Sequence, residues 1–558
     1  MLSAFAVYKT KPDSKNNPKQ KLQQQSITIK KKRSKRKHRN IINGIAKTSN
    51  VLHEANISPK KQIKKKLNVS QEMEIDNDVP VSQLPRRKEV KDIHVSPLPT
   101  KKEFSTKIQK KSKQKIKQVS NKPINIDTKV LKRPLDLLSY LLAPIDVSEF
   151  FNTYWESKPL HIVRNKEDYF KNIFSSQQLD TILRNNLLYY TRNVDVVTYE
   201  NDERQTHNPE GRAIPANVWD YYMNGCSVRI MNPHTYNHKV RDMLSTLQEY
   251  FGSMVGANVY LTPSGSQGFA PHYDDIEAFV IQLEGHKNWK LYAPRTNAEM
   301  LPRYSSQNLP RNELQAPIKE LTLKAGDLLY FPRGFIHEAS TDKDAHSLHI
   351  TVSVYQHTAY VDLLEKLLPI ALKNASENDV DFRKGLPLNY LKHVGVVNSA
   401  KNTSERKEIF SKVKELMHKM VDYALVDAAA DQLGRKFMYE ALPPHLSSAE
   451  KERSSKEDGD RMENGVVTNI ASFSPDTMVR FARYHSQRLV VEESGVVIYY
   501  CTENANVYHG EEEQSLELDN TLIDTVTALQ NIYPQYISIE DLPCNDEIKK
   551  IQAISDLW

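Results

Sequence analysis

Hydrophobic and polar positions follow two different rhythms along the chain, and these divide it into regions. From Pro134 the apolar residues recur at three- and four-residue steps, which predicts that helices open the folded part. Between about residues 227 and 356 the pattern changes to short apolar runs separated by Gly and Pro, as in a small β-barrel or sandwich. Helical spacing returns at about 361 and continues to about 442.

Six apolar runs predict the strands of the β-rich region: 227–231, 258–261, 278–283, 289–292, 327–331 and 348–355. Residues 284–287 lie between two of these runs, and Gly285 suits a tight turn. We therefore predict a β-hairpin at this point.

An apolar stripe marks the second helical region, formed by Phe410, Val413, Leu416, Met417 and Met420. The stripe packs either within the chain or against a second copy, and its pattern leaves both alternatives open. Residues 447–465 are polar and without periodicity, which is typical of a linker. The last region, 466–558, has two strand-like runs followed by two helical stretches, the second ending at Trp558.

Charge is distributed unevenly between the two ends of the chain. Residues 1–130 contain 33 basic and 10 acidic residues, whereas the remainder contains 44 and 59. Low aromatic content and high charge predict a disordered basic tail over residues 1–132. In the run 30–39, nine of ten residues are basic or His, which is the form of a nuclear-import signal and also suits contact with RNA phosphates. The alternative is a solvated charge run without a partner.

Cysteine content and hydropathy exclude several classes of protein. Cys226, Cys501 and Cys544 are too few and too scattered for a disulfide framework or a thiolate zinc site. No apolar run reaches the roughly 18 residues of a membrane span, and no secretory leader opens the sequence. We expect a protein that is neither secreted nor membrane-spanning.

The candidate chemistry lies in a His-x-Asp pair just before an apolar run. Side chains alternate in an extended chain, so His272 and Asp274 point the same way. His337, which follows a Gly-Asp-apolar-Phe-Pro segment, would complete a metal site of two His and one carboxylate with three open positions. Such a site is typical of Fe(II) oxygenases, and zinc is disfavoured because thiolate ligands are absent.

These residues, with Asp275, Glu277 and the turn 282–285, resemble the JmjC ribosomal oxygenases. The resemblance is closest to the nucleolar branch of bifunctional histone lysine demethylases and ribosomal-protein histidyl hydroxylases. It covers about residues 133–558 and implies an α+β fold: a double-stranded β-helix oxygenase core with flanking helices over 133–360, a helical dimerisation region over 361–446, and a winged-helix domain over 466–558. A winged-helix domain usually adds a closing strand after its last helix, but this sequence stops at Trp558, directly after that helix. We therefore expect the last helical turn to be less firmly held.

The resemblance also implies roles for individual residues. Lys287 would bind the distal carboxylate of 2-oxoglutarate, and Asn258 and Tyr260 would line the pocket for cosubstrate and substrate. A further set would contact the peptide substrate: Arg229, Asn308 and Ser353. The alternatives are a surface hairpin lysine at 287, core polar groups at 258 and 260, and an ordinary salt-bridge partner at 229. For His346 and His349 we expect structural roles.

The family implies Fe(II) as metal, with 2-oxoglutarate and O2 as cosubstrates. Three functions remain open: hydroxylation of a histidine in a large-subunit ribosomal protein, demethylation of histone H3 lysines with transcriptional repression, or a non-catalytic scaffold. The family resemblance also implies a homodimer or a dimer of dimers, located in the nucleolus and nucleoplasm. Residues 471–558 hold 5 basic and 15 acidic residues, which disfavours DNA binding there. We expect that domain to be structural or protein-binding, with the acidic run 511–513 attracting a basic partner.

Overall fold

The computed structural model describes residues 129–558, except 493, 508, 509 and 511. The predicted import signal and RNA-contact run at 30–39, almost all of the predicted basic tail, and Glu511 lie outside the described residues. Within the described part, no helix is long and apolar enough to cross a membrane.

Five helices accompany the central sheet: α1 (Lys129–Leu142), α2 (Val147–Thr153), α3 (Ser176–Asn185), α4 (Pro215–Met223) and α5 (His238–Phe251). Side chains at their starts satisfy free backbone N–H groups, as Asp146, Ser175 and Asn237 do for α2, α3 and α5. Apolar residues at helical spacing on these helices join one large core with the sheet. The predicted opening by helices is confirmed.

Ten strands form the main antiparallel sheet: β1 (Leu160–Ile162), β2 (Val194–Glu200), β3 (Glu203–Thr206), β4 (Ser227–Met231), β5 (Val255–Thr262), β6 (Glu277–Tyr292), β7 (Lys319–Lys324), β8 (Leu328–Phe331), β9 (Ile336–Ser340) and β10 (Ser347–Val354). Their order is β1-β8-β6-β10-β5-β4-β2-β3, and β7 and β9 pair with β6 outside this path. An antiparallel core flanked by helices confirms the predicted fold class.

The predicted hairpin at 284–287 is wrong, because β6 continues through it as one strand. Its first half pairs with β8 and β10, and its second half pairs with β7 and β9. At the change of partners the register against β10 shifts, and Gly285 has a φ of +60°. Gly285 therefore allows a bend within a strand, where the sequence pattern suggested a reversal of the chain.

The second helical region contains α6 (Tyr360–Asn378), α7 (Ser404–Met420) and α8 (Val426–Glu440). Helix α6 contacts both α7 and α8. Three residues of the predicted stripe on α7 stay open to solvent: Phe410, Val413 and Met417 are 47%, 48% and 60% exposed. Packing within the described chain therefore leaves much of this stripe uncovered.

The C-terminal part contains three helices, α9 (Ser448–Lys451), α10 (Ile523–Ile532) and α11 (Glu547–Leu557). Its strands are β11 (Arg461–Glu463), β12 (Val466–Thr468), β13 (Met478–Val479), β14 (Gln487–Glu492), β15 (Gly495–Tyr500), β16 (Ser515–Leu518) and β17 (Ile537–Ser538). The stretch predicted as a linker holds α9 and β11, because Ser447 and Glu450 cap α9 and Glu450 pairs with Arg483. Arg483 also pairs with Glu249 of α5, which ties this part to the helices of the main core.

Candidate metal centre

Main-chain pairing brings the two candidate His ligands together. The His272 N–H donates to the His337 carbonyl at 3.2 Å, and the His337 N–H donates to the His272 carbonyl at 2.8 Å. The Gly334 N–H donates to the Asp274 carbonyl at 3.0 Å, so this segment runs beside β9 and the loop before it. The His272 and His337 ring centroids are 4.4 Å apart.

The three side chains converge on one point. Asp274 Oδ2 lies 3.9 Å from His272 Nε2 and 3.7 Å from His337 Nε2. The ligand atoms of all three residues lie within 4.8 Å of one another, which suits a single ion. Asp274 is the least buried of the three residues.

Hydrogen bonds fix the protonation of both imidazoles. Nδ1 of His272 lies 2.8 Å from the Ala270 carbonyl, and Nδ1 of His337 lies 3.1 Å from the Phe335 carbonyl. A carbonyl only accepts, so Nδ1 carries the hydrogen and Nε2 keeps its lone pair for a metal. Burial lowers the pKa of both His residues, and the proximity of His337 adds to the effect on His272. The rings are therefore neutral, as a metal requires.

A hydrogen-bonded layer lies behind Asp274. The Ser305 hydroxyl donates to Asp275 Oδ1 at 2.7 Å and lies 3.4 Å from Asp274 Oδ1. The Asp275 N–H donates back to the Ser305 hydroxyl at 3.2 Å. Gln356, just after β10, donates to Asp275 Oδ2 at 2.7 Å. Such contacts orient a carboxylate ligand before the metal arrives.

Comparison with known proteins places this arrangement in a family. The JmjC domain matches residues 229–362, and the C-terminal winged helix domain of ribosomal oxygenase 1 matches residues 442–558. Ribosomal oxygenase 1 of Gallus gallus is 48% identical over 428 residues, covering 76% of this chain and 71% of that protein. The chain belongs to the ribosomal oxygenase 1 family. The predicted JmjC core, C-terminal winged helix and family resemblance are confirmed.

Further similarities extend across distant organisms. The bifunctional lysine-specific demethylase and histidyl-hydroxylase NO66 of Dictyostelium discoideum is 43% identical over 425 residues, covering 76% of this chain and 81% of that protein. Among solved structures, the Escherichia coli ribosomal oxygenase YcfD in complex with cobalt and 2-oxoglutarate has a TM-score of 0.37 and 13% identity, covering 74% of this chain and 96% of that chain.

Lys287 lies on β6, two residues after the bend at Gly285. Its side chain is buried, and its Nζ donates to Thr262 Oγ1 at 3.0 Å. Among the residues that the structure describes, no carboxylate pairs with Lys287 to offset its burial. Burial lowers the pKa of Lys287 to about 7. A buried ammonium without a counter-ion fits the distal carboxylate of 2-oxoglutarate.

A row of side chains crosses four neighbouring strands beside the metal ligands. Asp195 of β2 is paired with Arg229 of β4, Arg229 with Tyr260 of β5, and Tyr260 with His349 of β10. Paired residues of antiparallel strands lie on the same face of a sheet, so these four side chains share one face. The Tyr260 and His349 rings stack at 4.8 Å, and Trp289 meets His349 edge-on at 5.5 Å.

Several buried polar atoms in this region lack a hydrogen-bond partner in the described structure: Asn258 Oδ1, Trp289 Nε1 and His349 Nδ1. Unsatisfied buried donors and acceptors are costly, so their clustering favours a pocket that a polar ligand completes. The two imidazoles, the carboxylate and this pocket together fit Fe(II) with 2-oxoglutarate.

The three predicted substrate contacts differ in exposure. Arg229 is buried, and its Nε donates to Asp195 Oδ2 at 3.0 Å, so the ion-pair alternative for Arg229 is confirmed and its contact with the substrate stays a prediction. Ser353 is buried on β10 opposite Gly256 and Ala278. Asn308 is exposed, and the next residue, Leu309, donates its N–H to the Pro271 carbonyl at 2.8 Å. All three thus lie on elements next to the metal centre or on the strands around it.

Sequence reasoning missed Thr262. Thr262 is two residues after Tyr260, so alternation along β5 would have placed it on the same face. His349 shares the row with Tyr260 and Arg229, and its structural role stays a prediction. His346 is half-exposed and pairs with Glu284 at 3.2 Å, as a structural role requires.

Proposed function

We propose that this chain is an Fe(II)- and 2-oxoglutarate-dependent oxygenase that hydroxylates a histidine in a protein of the large ribosomal subunit. The observation that carries the proposal is the convergence of His272, Asp274 and His337 beside the unpaired, buried Lys287. A scaffold without activity has no need of a preorganised metal site or of an ammonium held without a counter-ion.

The chain's own residues would hold the reactants in place. His272 and His337 would hold the ion through their Nε2 lone pairs and Asp274 through Oδ2, and three protein ligands of this kind leave room for a cosubstrate. Lys287 and Thr262 would bind the distal carboxylate of 2-oxoglutarate. Bound Fe(II) and 2-oxoglutarate would supply the oxidation, in which one oxygen atom of O2 enters a substrate C–H bond while 2-oxoglutarate becomes succinate and CO2. The buried walls of the pocket would exclude bulk water from this reaction.

The charges around Arg229 favour histidine over methylated lysine as the target. The guanidinium groups of Arg204 and Arg229 both lie over the Phe269 ring, at 4.8 and 5.7 Å from its centroid. The nearby carboxylate of Asp195 is already bonded to Arg229 and to Asn208. A methylated lysine brings a further positive charge into this environment, whereas a neutral imidazole does not. Lysine demethylation, with transcriptional repression as its consequence, remains the second candidate because relatives carry both activities in their names.

Succinate formation tests the proposal. The full-length protein, loaded with Fe(II) under air, is given 2-oxoglutarate with histidine-containing ribosomal peptides or methylated histone H3 peptides. We expect ribosomal peptides to stimulate turnover and to gain the mass of one oxygen atom, and His272→Ala to abolish both. Formaldehyde release from the histone peptides would establish the second candidate. If folded, metal-loaded protein turned over none of the peptides, the non-catalytic scaffold would be the remaining function.

We also propose that the chain forms a homodimer or a dimer of dimers through its helical region. Leu364, Leu368 and Leu372 follow one another at four-residue steps on α6 and are each about half exposed. The uncovered stripe on α7 adds a second apolar surface. Light scattering after size-exclusion chromatography should show an oligomer that Leu368→Glu dissociates and that Lys366→Glu, an exposed charge on the same helix, leaves intact.

The basic run 30–39 supports a location in the nucleus, including the nucleolus and nucleoplasm, and a contact with RNA. Replacing its Lys and Arg residues by Gln in a fluorescent fusion should move the protein out of the nucleus. RNA binding that falls steeply with added salt in the wild type, and is lost in the same variant, would support the RNA contact. Unchanged localisation would contradict the import signal.

A further inference from the structure

Arg204 brings a positive charge to the edge of the pocket described above. It lies on β3, the outermost strand of the sheet, opposite Tyr199 of β2. Its guanidinium lies 4.8 Å from the centroid of the Phe269 ring. Phe269 in turn packs edge-on against Tyr260 at 5.4 Å and lies 6.5 Å from the His272 ring. A single aromatic ring therefore separates the Arg204 guanidinium from a metal ligand and from the row that contains Tyr260.

The two arginines at Phe269 differ in their bonding. Arg229 donates to Asp195, whose other oxygen accepts a hydrogen bond from Asn208 at 2.7 Å. The guanidinium of Arg204 makes no ion pair or hydrogen bond in the part of the chain that the structure describes, and its Nε is buried without an acceptor. Burial, followed by the charge of Arg229, lowers the pKa of Arg204 to about 10, so it remains charged at neutral pH.

The Arg204 side chain is partly buried, and its Nε–H is a buried donor without an acceptor in the described structure. Such a donor is costly unless a ligand supplies the acceptor. The acceptor on the neighbouring strand, Asp195, is already occupied by Arg229 and Asn208. The distal carboxylate of 2-oxoglutarate has its own partners in Lys287 and Thr262. A substrate peptide that approaches this edge of the pocket would bring oxygen acceptors within reach of Arg204.

We propose that Arg204, held against Phe269, binds an oxygen acceptor of the substrate peptide beside the residue that is oxidised. The acceptor is a backbone carbonyl or a side-chain carboxylate, both of which a guanidinium recognises through its planar N–H groups. This inference rests on the proposed function and adds a specificity-determining residue to it. Phe269 fixes the direction of the guanidinium, and Arg229 pairs with Asp195 and leaves Arg204 free for the peptide.

Binding and turnover of histidine-containing ribosomal peptides test the assignment with Arg204→Gln and Arg204→Lys. The matched control is Arg192→Gln, an exposed arginine in the turn before β2. Peptide affinity is measured by fluorescence anisotropy on protein loaded with Mn(II) and 2-oxoglutarate, so this readout does not depend on activity. The dissociation constant of 2-oxoglutarate is measured separately, without peptide.

We expect Arg204→Gln to weaken peptide binding and raise the peptide KM about tenfold or more, because a charge-assisted hydrogen bond is lost. Arg204→Lys should restore part of the loss, and Arg192→Gln should match the wild type. The affinity for 2-oxoglutarate should stay within about twofold of the wild type in all variants. If replacing acidic peptide residues by amides removes the difference between wild type and Arg204→Gln, the acceptor is a carboxylate; if the difference persists, it is a carbonyl.

Two results would overturn the inference while leaving the proposed function intact. One is unchanged peptide affinity and KM in Arg204→Gln. The other is a loss of 2-oxoglutarate affinity in Arg204→Gln as large as its loss of peptide affinity, which would assign Arg204 to the cosubstrate pocket or to the structure of the barrel. If the wild type neither binds nor oxidises any peptide, the proposed function fails first, and this inference fails with it.

Discussion

Under the proposed function, Lys287 carries the charge on which cosubstrate binding would depend, and its surroundings do not stabilise that charge. Burial lowers its pKa to about 7, and Thr262 offers it only a hydroxyl oxygen. Above about pH 7 the amine is increasingly neutral in the free protein, yet pairing with a carboxylate requires the ammonium form. Binding of 2-oxoglutarate must then take up a proton.

We therefore expect the affinity for 2-oxoglutarate to fall up to about tenfold for each pH unit above 7. Calorimetric titration of the Mn(II)-loaded protein at about pH 8, in two buffers of different ionisation enthalpy, should register the proton uptake. Lys287→Arg keeps its charge at every accessible pH, so this variant should lose the pH dependence while retaining some affinity. A flat pH profile in the wild type would contradict the low pKa of Lys287.

At the level of single residues, the sequence predicted the metal centre better than its surroundings. His272 and Asp274 could be paired from alternation alone, because both belong to one extended segment. Arg204 and Ser305 could not be linked to the centre in this way, since each comes from a different element. Their proximity depends on the pairing order of the sheet and on the path of the loop that carries Ser305, which single-chain periodicity does not encode.

Among the elements, β6 shows how one glycine positions the site. A Cβ atom at Gly285 would lie 1.9 Å from the His346 carbonyl oxygen, and its φ of +60° is unfavourable for other residues. The sequence suggested a hairpin because a glycine between two apolar runs is the usual signature of a turn. Both runs belong to one strand that changes partners at a bulge, and a local pattern does not distinguish these cases.

Gly285→Ala should lower the free energy of unfolding by about 3 kcal/mol, through backbone strain and the displacement of His346. It should also weaken 2-oxoglutarate binding, because Lys287 is two residues further along the strand. Gly211→Ala is the matched control: Gly211 has a φ of +90°, but a Cβ atom there would have nothing within 4 Å. We expect this control to cost only about 1 kcal/mol and to leave cosubstrate affinity unchanged.

Urea denaturation with and without saturating 2-oxoglutarate measures both effects. If both variants lost the same free energy of unfolding, backbone strain alone would explain the effect at Gly285. The close contact between a Cβ atom there and the His346 carbonyl would then be relieved without cost. If Gly285→Ala lowered stability but left 2-oxoglutarate affinity unchanged, the bend at Gly285 would not be what positions Lys287.

At the scale of the whole molecule, the boundary before the C-terminal part was the hardest feature to predict. Residues 447–465 lack periodicity, yet Glu450 within them accepts from Arg483 at 2.6 Å. Gln248 of α5 donates to the Leu442 carbonyl at 2.6 Å, and Ser245 donates to the Pro443 carbonyl at 2.8 Å. Most of residues 447–465 are exposed, as in a linker, but the contact of Glu450 with Arg483 ties the stretch to the C-terminal part.

Arg483 is the centre of this junction, since its buried side chain pairs with Glu249 of α5 and Glu450 of α9. Burial raises the pKa of Glu249 to about 7, although Arg483 opposes the shift. Arg483→Met would leave the Glu249 carboxylate buried without its partner, so we expect a loss of about 3 kcal/mol in the free energy of unfolding at about pH 8. The exposed Arg453, replaced by Met, is the control for a change of charge in the same region.

The pH dependence of this loss identifies its cause. A carboxyl group whose folded-state pKa lies above its unfolded value binds protons more tightly when folded, so stability rises as pH falls from about 7 towards 4.5. In Arg483→Met, protonation of Glu249 below pH 7 should therefore recover part of the lost stability, and Glu249→Gln in the same background should recover it at pH 8 as well. A loss that neither low pH nor Glu249→Gln reduces would show that Arg483 acts through packing and its bonds to Glu450 and the His445 carbonyl, and not through the charge of Glu249.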